Sequence, residues 1–312
     1  MAGLFCFILV DGSKKMRIVL FGYIGHQNFG DLILLDAALE QIPNGSEVAV
    51  IHAGPFEDLI TKSHETRLKI TRPRYGSLAH FNAISRAIKV VCIGGTCFHG
   101  RKSGFPRNQQ FALLTGKKIE WRNVGLESSY TPTALQKFQF KHTLKNMIVR
   151  DKPSYAIAVE KLNTSPIVEL DAAFTAPCVL RAAKTAVPKP NSVFVSVRKS
   201  AIPLEQKLTA IKEGLERLGN VTDIIVCPAC PIDEEICSKV ANILKATYVT
   251  PNWIDQLDVM ASCSAMIAER LHHQVIGHVL GMRTLSIIYM EKCRSVFKAS
   301  DYEIETVFDA TE

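Results

Sequence analysis

Near the end of the chain, Ala268-Glu269-Arg270-Leu271-His272-His273 leads into an apolar helical stretch, Gly281, and the run Thr284-Leu285-Ser286-Ile287-Ile288-Tyr289 that reaches Lys292. An arginine and a histidine stand where a strand hands over to a helix, and a lysine follows the next strand. Three groups that carry or donate protons could converge on one anion. A helix start adds exposed backbone N–H groups and the positive end of a dipole. Together these make the chemistry of a phosphate pocket.

Other strand ends carry candidates of the same kind. Gly22-Tyr23-Ile24-Gly25-His26-Gln27-Asn28-Phe29-Gly30-Asp31 lies between a strand and the apolar helical run Leu32–Leu39. Glycines at such a turn let a ligand approach bare backbone, although the spacing is not that of the dinucleotide fingerprint. Asp31 is read either as the N-cap of that helix or as a carboxylate facing a cleft. Gly94-Gly95-Thr96 follows the strand Val90–Ile93 in the same position relative to the sheet, and Arg150-Asp151 ends the strand Met147–Val149. Arg150 either pairs Asp151 or reaches a ligand, and Arg198, after Val193–Val197, holds the equivalent place in the second half. The basic, glycine-containing stretch His99–Arg107 suits either a flap over an anionic substrate or a plain solvated loop.

Two features invite other readings. Cys227-Pro228-Ala229-Cys230, with Cys237 beyond, resembles half a zinc site, but no second pair of matching spacing follows, so no metal is expected. His273 and His278 are read as packing or surface residues.

The elements that must position these groups alternate in type. Short apolar or β-branched runs at Arg17–Phe21, Glu47–Ile51, Val90–Ile93, Ile119–Val124 and Met147–Val149 are separated by helical patterns, the signature of a parallel sheet with crossover helices. The pattern breaks between Pro177 and Ser192, which reads as a linker, and then restarts. Strands are expected at Val193–Val197, Asp223–Val226, Thr247–Val249, Ala265–Ala268 and Thr284–Ile288. Helices are expected at Leu204–Leu218, Asp233–Leu244, Trp253–Ala261 and His272–Leu280. The expected fold is α/β, with two Rossmann-like domains facing a cleft. Residues 16–180 would form the N-terminal, acceptor-side domain and 191–312 the C-terminal, donor-phosphate-side domain. Residues 1–15 read as a non-essential extension ahead of Met16, so a chain beginning at Met16 should fold and act like the full one.

Composition narrows the class. With 312 residues, 47% hydrophobic and 21% charged, the chain can build two ordinary cores. The net charge of +7 favours anionic partners, but the basic residues are dispersed and not interleaved with aromatics, which argues against nucleic acid. Nine cysteines without framework spacing suit reduced thiols, and the expected location is cytoplasmic, without disulfides. The apolar run Gly3–Val10 is too short to span a bilayer and lacks the flanks of a signal peptide, so any membrane contact would be peripheral.

In this order, Gly-x-x-Gly-x-x-Asn-x-Gly-Asp at Gly22–Asp31, Gly-Gly-Thr at Gly94–Thr96, Val-Arg-Asp at Val149–Asp151, Arg-Leu-His at Arg270–His272 and Tyr-x-x-Lys at Tyr289–Lys292 resemble the polysaccharide pyruvyl transferase family over nearly the whole chain from Met16. The resemblance implies a two-domain fold like that of GT-B glycosyltransferases. It implies phosphoenolpyruvate as donor substrate, no cofactor, and an acceptor sugar in a surface polysaccharide or a lipid-linked oligosaccharide precursor. Carried over by position, Arg150, Arg270 and Lys292 bind the donor and His272 acts on protons. Asn28, Gly30 and Asp31, with Gly95 and Thr96, complete the substrate-binding set, and Asp31 is a candidate base for an acceptor hydroxyl. Two departures stand out: Thr96 occupies a position where the family usually has a third glycine, and Glu269 stands before Arg270, where it could pair with that arginine. The other readings are a nucleotide-sugar glycosyltransferase of the same architecture and a noncatalytic phospholigand-binding protein.

Overall fold

A computed structural model describes residues 16–54, 61–100, 105–250, 252–300 and 302–311. The extension 1–15 and the centre of the 99–107 loop lie outside the described residues. The chain divides into two compact units: one comprises residues up to Gln27 together with Leu34–Ala172, and the other comprises Asn28–Ile33 with the chain from Ala173 onward.

The first unit is built on strands β1 (Arg17–Phe21), β2 (Glu47–Ile51), β3 (Lys69–Thr71), β4 (Lys89–Cys92), β5 (Gly95–Phe98), β6 (Ile119–Leu126), β7 (Leu144–Val149) and β8 (Ile167–Val168). All pair in parallel in the order β3-β2-β1-β4-β6-β7-β8, with β5 beside β6. Four of the five residues in each of β1 and β2 are buried, as expected for central parallel strands covered on both faces. Trp121, fully buried on β6, meets Phe21, Phe98 and Phe140 at centroid separations of 5.7, 5.0 and 6.0 Å. These aromatic contacts tie β6 to its neighbours, and β6 carries Gly125, against which the guanidinium of Arg150, the residue after β7, lies.

The second unit contains β9 (Lys189–Ser196), β10 (Asp223–Val226), β11 (Thr247–Tyr248), β12 (Cys263–Ala268), β13 (Arg283–Ile288) and β14 (Glu305–Asp309). Its order is β11-β10-β9-β12-β13-β14, again wholly parallel. Counted from β9, this is the 3-2-1-4-5-6 arrangement of a doubly wound sheet, and its direction of winding reverses between β9 and β12. Ligands in such sheets bind beyond the carboxyl ends of the strands at that reversal. The core beneath is aliphatic, with Val193, Val195, Ile211, Ile267, Leu285 and Ile287 buried together.

The segment expected to be a linker is structured. Pro177–Thr185 is a helix with its proline at the first position and Val179 buried. A proline there begins a helix, because the N–H it lacks would have had no intrahelical partner. Of the two prolines beyond it, Pro188 directly precedes β9 and Pro190 is that strand's second residue.

Candidate active site

In the second unit, the ends of β9, β10, β12 and β13 bring Arg198, the stretch Cys227–Asp233, Glu269–His272 and Tyr289–Lys292 to one edge of the sheet. Arg270 is the N-cap residue of the helix Leu271–Val279, and His272 sits in its first turn. Both are partly exposed. Lys292 belongs to the first turn of the next helix, Glu291–Lys298, rather than to the strand end the sequence suggested. Its ammonium lies 5.4 Å from the centroid of the Tyr289 ring.

Glu269 does not pair with Arg270. It is fully buried and accepts hydrogen bonds from the Lys207 ammonium at 2.5 Å, the Ser200 hydroxyl at 2.6 Å and the Arg198 backbone N–H at 3.0 Å. Arg270 pairs instead with the buried Asp233: its Nε donates at 2.7 Å and an Nη2 lies at 2.5 Å. The alternation of strand residues explains the swap. Glu269 and Arg270 are sequential, so one turns into the sheet's end while the other projects from it. Burial opposes the Arg270 charge, but Asp233 and Cys230 outweigh it and hold the guanidinium above the ordinary arginine value. The departure at 269 therefore leaves Arg270 with a different counter-ion.

The cysteines of this edge serve the same scaffold. The Cys230 thiol donates to Asp233 at 3.3 Å and accepts from Arg270 Nη2 at 3.0 Å. Burial, with Asp233 beside it, pushes this thiol up to about 11, so it is neutral at physiological pH. Cys237 is pushed up to about 12, chiefly by burial, and donates to the Val197 carbonyl. Among the described residues, no group of three or more His, Cys, Asp or Glu side chains is placed to hold a metal ion.

The segment Asn28–Ile33 packs within this unit. Asn28 is the cap of the helix Phe29–Glu40, its side-chain oxygen accepting from the Gly30 N–H at 3.2 Å. Asp31 is thus not the cap, and lies partly exposed in the first turn. Phe29 anchors the turn, its N–H donating to the Ala229 carbonyl at 2.8 Å and its ring packing at a tilt of 44° with its centroid 5.0 Å from that of His273. Gly30 comes so close to His272 that a β-carbon there would lie 1.9 Å from the imidazole Nδ1. Only glycine leaves room for the ring. Of the two places the sequence left open for His273, packing or surface, the structure shows packing: it is buried, and its Nε2 accepts from the Gln256 amide at 3.0 Å.

In the first unit, Gly95, Thr96 and Arg150 do come together. Arg150 is buried; its Nη2 donates to the Thr96 hydroxyl at 3.0 Å, its Nη1 lies 3.5 Å from Asp171 and its Nε 3.7 Å from Asp151. Asp151 also caps the helix Lys152–Leu162 by accepting from the Ser154 N–H at 2.7 Å. Thr96 therefore supplies Arg150 with a hydroxyl that a glycine would lack. Tyr23 donates to the Thr96 carbonyl at 3.0 Å, and Gly94 and Gly95 hold φ of 106° and 84°, where side chains are strained. Sequence reasoning missed Gly125, on which a β-carbon would lie 2.7 Å from the Arg150 guanidinium. A glycine inside the apolar strand β6 was the available signal for such a close approach. It also missed Asp171, Asp233, Lys207 and Phe29, whose partners are remote in sequence.

With this geometry in view, comparison with known proteins becomes decisive. A family model described as polysaccharide pyruvyl transferase matches residues 28–290. The chain belongs to the polysaccharide pyruvyl transferase family. No curated protein matches the chain. Among solved structures, the putative UDP-N-acetylglucosamine 2-epimerase of Listeria monocytogenes is similar with a TM-score of 0.61 at 11% identity, covering 94% of this chain and 85% of its own. The UDP-GlcNAc 2-epimerase of Neisseria meningitidis bound to UDP-GlcNAc gives 0.57 at 9% identity, with 93% and 87% covered. An α-glucosyltransferase in complex with UDP and a 13-mer DNA gives 0.54 at 11%, with 88% and 80% covered. At such identities the likeness is one of fold, and it places this polysaccharide pyruvyl transferase family member among GT-B-type structures of two parallel-sheet domains.

Proposed function

We propose that this family member transfers the enolpyruvyl group of phosphoenolpyruvate onto two hydroxyls of a sugar in a surface polysaccharide or its lipid-linked precursor, forming a pyruvate ketal and releasing phosphate. The observation that carries this reading is the edge of the second unit, where Arg270 caps one helix, His272 lies in that helix's first turn and Lys292 lies in the first turn of the next; Arg270 and His272 fall within the family match and Lys292 just beyond it. Phosphoenolpyruvate carries a phosphate and a carboxylate close together, so its site needs several cations; arginine suits paired oxygens and lysine acts as a compact charge.

The steps balance without a cofactor. A proton is added to the methylene carbon, one sugar hydroxyl adds to the cationic carbon so formed, the C–O bond to phosphate breaks, and the second hydroxyl closes the ketal. Both hydroxyl protons leave to bases. His272 is the group suited to these proton steps near neutrality. In the second unit Arg270 and Lys292 stabilise the departing phosphate; in the first unit Arg150 is the proposed anion-binding residue. Asp31 is the base for an acceptor hydroxyl, and Asn28, Gly30, Gly95 and Thr96 shape the substrate-binding turns. The burial of Glu269 against Lys207 counts against the nucleotide-sugar alternative, because that carboxylate is not available to a ribose.

The test offers phosphoenolpyruvate with a panel of galactosides, glucosides and mannosides and follows inorganic phosphate. Acceptor-dependent release that His272→Ala abolishes in a folded protein supports the assignment. Turnover of a uridine or guanosine diphosphate sugar with no response to phosphoenolpyruvate would replace it with the glycosyltransferase reading. Tight phospholigand binding with no turnover would make the chain a binding protein.

A further inference from the structure

Arg198 is the arginine at the reversal point of the second sheet that has no carboxylate partner among the described residues. It follows β9, across the reversal from β12 and Arg270. Its backbone is fixed from both sides: the N–H donates to Glu269 at 3.0 Å, and the carbonyl accepts from the Lys207 ammonium at 3.0 Å. Its guanidinium carbon lies 4.2 Å from the centroid of the Tyr289 ring, within the range of a cation–π contact. Two acids occur nearby, and both are committed elsewhere, Asp233 to Arg270 and Glu269 to Lys207. The Arg198 Nε is buried with no hydrogen-bond partner.

Arg122, Arg150 and Arg294 also carry a buried Nε with no hydrogen-bond partner among the described residues, but each of them faces a carboxylate, Glu120, Asp171 and Asp309 respectively, and a cation without such a partner is costly unless a ligand meets it. A structural arginine would be expected to sit against one of the two carboxylates beside it. Here the fold spends both carboxylates on other cations and gives Arg198 an aromatic face instead. Stacking of this kind holds a planar guanidinium in place while leaving its edge of N–H donors for a planar pair of oxygens.

We infer that Arg198 is a further anion-binding residue of this edge, gripping two oxygens of the donor's phosphate or carboxylate, with Tyr289 as the residue that positions it. The inference rests on the donor reading above and adds a residue to it. It also gives Tyr289 a purpose: the same ring has the Arg198 guanidinium carbon 4.2 Å and the Lys292 ammonium 5.4 Å from its centroid.

The experiment is calorimetric titration of phosphoenolpyruvate, inorganic phosphate and pyruvate into the full chain and into Arg198→Ala, Arg198→Lys, Tyr289→Leu and Tyr289→Phe. Loss of a charge-assisted bidentate contact should weaken phosphoenolpyruvate binding about 10- to 100-fold in Arg198→Ala. Arg198→Lys, which keeps the charge but not the fork, should lose several-fold, and it decides the question if the alanine variant does not fold. Tyr289→Phe should retain more affinity than Tyr289→Leu, a rescue that a merely structural loss would not show. A deficit confined to inorganic phosphate assigns Arg198 to the phosphate, and one confined to pyruvate assigns it to the carboxylate. A wild-type chain that binds phosphoenolpyruvate while both Arg198 variants match it within about twofold overturns the inference and leaves the donor reading intact. A wild-type chain with no affinity for phosphoenolpyruvate overturns both.

Discussion

Replacing Gly30 with alanine tests how the proposed proton-transfer group is held. The new β-carbon would lie 1.9 Å from His272 Nδ1, 2.4 Å from Cγ and 2.6 Å from Cβ, whereas ordinary contacts begin at 3.4 Å. Relief therefore requires the imidazole to move by about 1.5 Å, or the Asn28–Ile33 turn to shift by a similar amount. Misplacing a catalytic group by about 1 Å costs on the order of 100-fold in rate. Overpacking of this kind destabilises by about 1–3 kcal/mol, which for a domain of this size lowers the melting temperature by about 2–4 °C per kcal/mol. The assay is acceptor-dependent phosphate release from phosphoenolpyruvate, read as kcat and KM separately, beside thermal melting. The loss should fall mainly on kcat. In a His272→Ala background the ring is gone and only the 2.6 Å contact with Cβ persists, so the melting penalty of Gly30→Ala should shrink. Activity within about twofold of wild type together with an unchanged melting temperature in Gly30→Ala would refute the reasoning.

Other expectations follow from buried charge and close packing. Glu269→Ala strands the fully buried Lys207 ammonium and should destabilise the chain by about 3–5 kcal/mol, measured by denaturant unfolding; a loss below about 1 kcal/mol would show the pair to be solvated. Gly125→Ala should displace the Arg150 guanidinium, whose nearest atom would be 2.7 Å from the new carbon, and should lower donor turnover more than Thr96→Ala, which removes a single hydrogen bond. Stability should fall on acidification through two histidines. Burial holds His80 down to about 4, against a weaker opposing hydrogen bond from Asn108, and burial with the charges of Arg270 and His272 holds His273 down to about 3. Unfolded histidines take up protons near 6.5 while these folded ones do not, so the unfolded state gains protons as pH drops below about 6.5, and stability declines until roughly pH 4 and pH 3, respectively. Melting followed across that window should show the slope, and His80→Gln with His273→Gln should flatten it; an unchanged slope would contradict the assignment.

Periodicity made the alternating elements readable. The strands Arg17–Phe21 and Glu47–Ile51 and the helices Leu204–Leu218 and Trp253–Ala261 fall where apolar spacing put them, because each buries a continuous apolar run or stripe. The elements that escaped notice are those whose local signal is weak. Gly95–Phe98 forms a strand that begins on the second of two adjacent glycines, and Pro177–Thr185 forms a helix that begins on the proline where the pattern broke. For the site, strand ends could be located but partners could not. Arg270 meets Asp233 and Glu269 meets Lys207 across 37 and 62 residues of chain, and only the sheet order makes those pairs neighbours. Likewise, the nearness of Gly30 to His272 depends on Phe29 docking on Ala229 and His273, a tertiary event without local pattern.

The central claim is chemical, and carbon labelling tests it most directly. Phosphoenolpyruvate labelled at its second carbon is incubated with the sugar panel and the purified chain, and the products are followed by carbon NMR beside a phosphate assay. The account predicts a sugar-bound ketal carbon appearing in step with equimolar phosphate, and neither product with His272→Ala. Phosphate released without any ketal carbon, or a label that stays in phosphoenolpyruvate with every acceptor while a nucleotide sugar is consumed, would contradict it.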